Sequence, residues 1–141
     1  MAFTGNYSCN TLRSGLANGT INFSTGTFYL ALYTNAATLD ASTAAYTTTG
    51  EATGGNYVAG GLSVVASIGS DTTTSGSTTY INFSSPSWTG SITARGALIY
   101  QSGGGNPAVC VLDFGSNKTS STTFTVQMPQ NTASSALIRL T

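Results

Sequence analysis

Seven short runs rich in β-branched and aromatic residues, each fenced by Gly, Ser, Asn and Thr, constrain this chain more than anything else in it. They are TFYLALYT (27–34), YVAGGLSVVAS (57–67), TTYINFS (78–84), ITARGALIYQ (92–101), AVCVLDFG (108–115), TTFTVQMP (122–129) and SALIRLT (135–141). Runs of this kind are strand signals, and this many in one chain predict a sandwich or a barrel. Period two agrees. In TFYLALYT, Phe28, Leu30 and Leu32 share one face and Tyr29, Ala31 and Tyr33 the other. In TTYINFS, Tyr80, Asn82 and Ser84 oppose Ile81 and Phe83, and in TTFTVQMP, Phe124, Val126 and Met128 oppose Thr125 and Gln127. These strands read as half-buried, with hydroxyls outward. ALIY and AVCVLDF are apolar on both faces and should be central or covered on both sides.

One helix is expected, NTLRSGLANGT: Asn10 or Thr11 as its cap, Leu12 and Leu16 at i,i+4, Gly19 at its end. SDTTTSGSTT (70–79) reads as a mobile hairpin loop and GGGN (103–106) as a flexible hairpin. No linker divides the chain, so a single domain over 1–141 is expected, with its last strand tied into the sheet. MAFTGNYSCN (1–10) is a candidate arm reaching a neighbour, because it precedes the first expected packed element; a disordered terminus is the other reading.

Chemistry is scarce. Charged residues are only 6% of the chain, the net charge is zero, and Ser and Thr supply nearly a third of the residues. Such a surface gives no electrostatic reason to expect nucleic acid or an anionic membrane as partner, and it does little to repel copies of itself. There is no histidine, which removes the Ser-His-Asp and Cys-His arrangements and the commonest metal ligand. Asp40, Glu51, Asp71 and Asp113 are scattered, whereas a glycosidase needs two carboxylates about 5–10 Å apart. Lys118 sits in a turn-like stretch that suits a solvated side chain. We therefore expect no enzyme, no metal and no cofactor. Cys9 and Cys110 are too few for a disulfide framework; a buried free thiol suits Cys110, and a bridge between the two is the alternative. No apolar stretch reaches the ~20 residues of a membrane span, and the start lacks the features of a signal peptide, so synthesis in a cytosol is expected.

Two features invite a site. The stretch AAYTTTGEATGGNYVAGG (44–61) carries the only glutamate, Glu51, flanked by Tyr46 and Tyr57. Arg95 falls inside a strand-like run, where an unpaired cation is costly, and Glu51 and Asp113 are its candidate partners. The expected role is structural: glycines 54, 55, 60 and 61 shape the segment, the tyrosines anchor it and Glu51 pins it, with Arg95 a candidate partner. Trp88, with Tyr46, Tyr57 and Tyr100, offers candidate stacking platforms for a sugar; packing of Trp88 at a sheet edge is the competing reading.

Taken together, FYLALYTNAATLDASTAAYTTTGEATGGNYVAGGLSV, SWTGSITARGALIYQ, AVCVLDFGSNKTSSTTFTVQMP and SALIRL resemble small virion proteins of tailed bacteriophages, over about residues 12–140. The tyrosine–Glu–glycine segment and the Trp…RGALIY segment are the specific parts. Asn56, where Gly or a small residue is expected, and the loose GGG at 103–105 depart mildly from the pattern. The resemblance implies an antiparallel β-sandwich of jelly-roll-like form. It also implies a homotrimer that decorates the virion capsid surface, binds the major capsid protein as a cement, and is made in the host bacterial cytoplasm. Related folds at fibre tips imply an alternative, a receptor-binding knob recognising host glycans. No catalytic residue carries over.

Overall fold

Most of the expected runs pair, and they do so at long range. The computed structural model describes residues 3–71 and 78–140. Its strands are β1 (Tyr7–Ser8), β2 (Phe28–Tyr33), β3 (Leu62–Val64), β4 (Ala66–Asp71), β5 (Thr78–Phe83), β6 (Ser87–Thr89), β7 (Thr93–Gln101), β8 (Ala108–Thr119), β9 (Thr123–Thr125) and β10 (Ile138–Leu140), with one helix, α1 (Asn10–Asn18). A five-stranded sheet has the order β1-β8-β7-β2-β3, a three-stranded sheet the order β10-β5-β4, and β6 pairs with β9. The pairings are antiparallel: β4–β5 and β7–β8 join neighbouring strands, while β1–β8, β2–β7, β5–β10 and β6–β9 join segments distant in sequence, as in a jelly-roll-like β-sandwich.

Strand β7 lies between β8 and β2, which explains its apolar sequence: Ala97, Leu98 and Ile99 are fully buried. Side chains alternate into two separate cores. Leu30, Leu32 and Ile99 join Phe28, Phe83 and Val109 between the layers. Ala31, Tyr33 and Leu98 point the other way and pack with Phe3, Cys9 and Leu39. Strand β2 is thus covered on both faces rather than half-buried, because the connection 34–61 and the N-terminal segment lie over its second face. Truncating a core leucine such as Leu98 should cost about 2–5 kcal/mol.

Several local expectations change. Residues 3–9, read as preceding the first packed element, are part of the fold. Phe3 is buried, Tyr7–Ser8 pairs with β8, and the Cys9 amide donates to the Val109 carbonyl at 2.9 Å. Met1 and Ala2 lie outside the described residues. Cys9, not Asn10 or Thr11, occupies the cap position of α1, with no side-chain capping bond. The Thr11 hydroxyl instead donates to the Ala108 carbonyl at 2.6 Å, fixing the helix to the sheet. Gly19 ends the helix with φ 82°, as its sequence position predicts. Leu12 is buried but Leu16 is exposed; Gly15 takes the inner position, since a Cβ there would overlap the Ile21 side chain. Asn82, placed by alternation on a polar face, is buried, and its side-chain amide donates to the Pro129 carbonyl at 2.7 Å. The run 57–67 is a strand only from Leu62, and the loop expected at 70–79 narrows: β4 and β5 extend to Asp71 and from Thr78, and residues 72–77 lie outside the described residues. Cys9 and Cys110 are both buried and free. Burial lifts the Cys9 thiol to about 11 and raises the Cys110 thiol above its usual value.

Candidate functional site

The connection between β2 and β3, residues 34–61, is long for a segment without regular structure, and such segments commonly carry a role. It is fastened at several places along its length. Near its start, Ala45 forms a β-bridge with Pro107, and the Tyr46 amide donates to the Asn106 carbonyl at 3.0 Å. In the middle, Glu51 forms a β-bridge with Tyr33 at the end of β2, flanked by the Thr34 amide on the Gly50 carbonyl and the Ala52 amide on the Leu32 carbonyl, each 2.8 Å. Farther on, Asn56 exchanges two bonds with Thr89 of β6, donating its amide at 2.9 Å and accepting at Oδ1 at 2.8 Å. That exchange gives the departure at Asn56 a purpose: glycine lacks the side-chain oxygen that the Thr89 amide uses.

Glu51 is the centre of this arrangement. Its Oε1 accepts the Tyr46 hydroxyl at 2.6 Å, and its Oε2 accepts the Tyr57 hydroxyl at 2.5 Å and the Gly60 amide at 2.7 Å. The Tyr57 oxygen in turn accepts the Leu32 amide at 2.9 Å, next to the carbonyl bonded by Ala52. Between the bridge at Glu51 and the start of β3, a tyrosine hydroxyl therefore replaces a backbone partner for β2. The Tyr100 hydroxyl donates to the Gly60 carbonyl at 2.8 Å, and Tyr33 donates to the Thr47 carbonyl at 2.6 Å. Tyr46 stacks on Tyr100 at 4.8 Å between ring centres, and Tyr100 stacks on Tyr29 at 5.9 Å. Gly60 and Gly61 both take positive φ, and a Cβ on Gly61 would overlap the Leu30 carbonyl oxygen.

Of the two candidate partners for Arg95, the structure chooses Asp113, and no Glu51–Arg95 pair forms. Arg95 pairs with Asp113, and both side chains are largely buried, 15% and 13% exposed. The cause is a bulge: Ala94 faces Lys118 while Gly96 faces Asp113, so the β8 residues between loop out opposite Arg95. The Asp113 carboxylate also accepts the Gly115 amide at 2.8 Å inside that loop, and the guanidinium lies 5.6 Å from the centre of the Phe3 ring. The contact runs through one guanidinium nitrogen and one carboxylate oxygen. Trp88 is no surface platform either. It is 2% exposed, on β6 opposite Phe124, with Tyr57 tilted against it at 5.5 Å. Of the five residues singled out, Glu51, Tyr46 and Tyr57 form one cluster, Trp88 packs against that cluster's Tyr57, and Arg95 stands apart.

Sequence reading missed the parts played by Tyr33 and Gly60. Their only signal was position, one at the end of an alternating run and the other in a glycine pair. The electrostatics match the geometry. Burial first, and then the bond to Glu51, raises the Tyr46 and Tyr57 hydroxyls above the usual tyrosine range; burial and the nearby Glu51 charge lift Tyr100 to about 12. The phenols stay protonated as donors, and the carboxylate directs its oxygens at three fixed donors. This is the chemistry of a clamp joining the five-stranded sheet to β6. No cluster of three metal-ligating side chains occurs among the described residues, and no described helix is long and apolar enough to cross a membrane. No protein-family model, curated protein or solved structure matches the chain.

Proposed function

We propose that the protein is a structural component of a phage virion, a capsid cement that binds the major capsid protein as a homotrimer and stabilises the head without catalysing a reaction. The observation that carries this reading is the clamp itself. The segment most specific to the resemblance, 44–61, commits its glutamate and tyrosines to fixing one loop shape between the five-stranded sheet and β6. A scaffold of this kind suits a protein that works by presenting a rigid surface. A near-neutral surface poor in long charged side chains also loses little side-chain entropy at an interface. A protein that binds only the assembled shell stabilises it by mass action. The glycan-binding alternative loses its main platform with the burial of Trp88. A cryo-EM map of the parent particle tests the reading: density repeated over the whole shell is expected, and density confined to a tail tip would overturn it in favour of a fibre role.

A further inference from the structure

Of the ten asparagines in the chain, Asn18 alone precedes a glycine, and it does so at the exposed end of α1. The pairing matters chemically. A backbone amide nitrogen can attack the side-chain carbonyl carbon of the asparagine before it, and a Cβ on the attacking residue crowds that approach; glycine has none. Gly19 takes φ 82°, and a Cβ placed there would meet nothing within 4 Å, so the bond lies in open solvent at a helix end that can fray. The side chain is also held for the reaction. Asn18 Oδ1 accepts the Thr20 amide at 3.0 Å and the Thr20 hydroxyl at 2.8 Å. Two donors on one carbonyl oxygen sit where negative charge develops when its carbon is attacked. Asn22 Oδ1 likewise accepts two amides, but the buried Phe23 follows it, whereas Asn18 combines both features.

We propose that Asn18 is a modification site, deamidated spontaneously by water with Thr20 holding the developing oxyanion. The Gly19 nitrogen gives its proton to hydroxide and bonds to the Asn18 side-chain carbonyl carbon. The bond from that carbon to the side-chain nitrogen breaks, and ammonia leaves with a proton taken from water. Water then opens the resulting cyclic imide at either carbonyl, giving aspartate or isoaspartate at position 18. One water is consumed and one ammonia released, with no change of oxidation state. Either product adds one negative charge to a chain of zero net charge. The new carboxylate stands at the C-terminal end of α1, where the helix dipole disfavours an anion. Isoaspartate also adds a backbone carbon just before the turn in which the Ile21 amide donates to the Gly15 carbonyl at 3.2 Å and the Ile21 side chain covers Gly15. The conversion therefore acts on the seating of α1 against the sheet.

The test holds the folded full-length chain in warm, mildly alkaline heavy-oxygen water and maps its peptides by mass spectrometry. The mass gain of an amide-to-acid exchange, with incorporated label, is expected at position 18 and at no other asparagine. Thr20→Val removes the hydroxyl donor and should slow conversion about three- to tenfold, the worth of one hydrogen bond. Thr20→Ser keeps the donor and should restore the rate. In denaturant, where Asn18 no longer meets Thr20, wild type and Thr20→Val should convert at equal rates. Thr20 is exposed, and circular dichroism checks folding; where Thr20→Val fails to fold, Thr20→Ala replaces it. An Asn18 that stays intact in the folded chain while the denatured chain converts would overturn the proposal. So would a folded Thr20→Val that converts as fast as wild type, or one slowed equally in denaturant. None of these results bears on where the protein lies on a particle, so the cement reading stands or falls separately on the map.

Discussion

Glu51 and Asp113 are both carboxylates held against the five-stranded sheet, and they are held by opposite means. Asp113 meets a guanidinium across a bulge, with one backbone amide closing the loop beside it. Glu51 meets two phenols and one amide, and among the described residues no cation pairs with it. Enough well-aimed neutral donors can hold a partly buried charge as a counter-charge does. The consequences differ. The Arg95–Asp113 pair fixes one bulge between adjacent strands, whereas the Glu51 network draws together β2, the loop around Tyr46, the Gly60 turn and, through Tyr57, Trp88. Loss of Glu51 should therefore be felt farther away than loss of Asp113.

The largest expected effect tests this difference directly. Glu51→Ala strands three donors and should cost about 3 kcal/mol, or roughly 10 °C in Tm for a chain of this size. A fall below about 1 kcal/mol in a thermal melt would mean that water replaces the carboxylate at little cost, and the contrast would collapse. Alkaline pH probes the same side of the comparison. Folded Tyr100 titrates near 12 against an ordinary 10.0, so the unfolded chain loses its proton first. The stabilisation is complete below pH 10 and disappears as pH rises toward 12, by roughly 2–3 kcal/mol for Tyr100 alone. Tyr46 and Tyr57 are raised in the same direction. Denaturant unfolding at stepped pH should show this fall, and a flat profile would contradict it.

Tyr57→Phe should come next, at about 1–2 kcal/mol, because it removes one donor to Glu51 and the acceptor for the Leu32 amide. Amide exchange at Leu32 should speed up in that variant, and unchanged exchange would mean that the hydroxyl is dispensable. Smaller again is the coupling in a double-mutant cycle of Arg95→Met with Asp113→Asn, about 1 kcal/mol. The smallest effect separates the two regions: Glu51→Gln and Arg95→Met should add to within about 0.5 kcal/mol, and a larger coupling would restore the pairing that the structure lacks.

The sequence was most legible where local patterning and burial agree. ALIY is apolar at every position because β7 is a central strand, and Gly19 ends α1 because a left-handed residue is needed there. It was least legible where a residue's partner is far away in the chain. The Arg95 side chain needed an acid, and Glu51 and Asp113 both qualified; a bulge in β8, visible only in the pairing register, brought Asp113 to it. For Trp88 the sequence left two readings open, platform or packing; packing is what forms, because the middle position of its short, polar-flanked strand is deeply buried. The helix cap was misread because the Thr11 hydroxyl binds a sheet carbonyl rather than its own helix.

The sequence alone thus determined an all-β chain with few charges, one short helix and a glycine-shaped segment around a single glutamate, since period, punctuation and composition act over a few residues. Tertiary structure alone decided that this glutamate is clamped by tyrosines and an amide, and that Arg95 belongs to Asp113. It also decided that the outer face of β2 is buried beneath the 34–61 connection. Hydrogen bonds and close packing are set by distances of a few ångströms, and only the folded chain fixes which distant residues come that near.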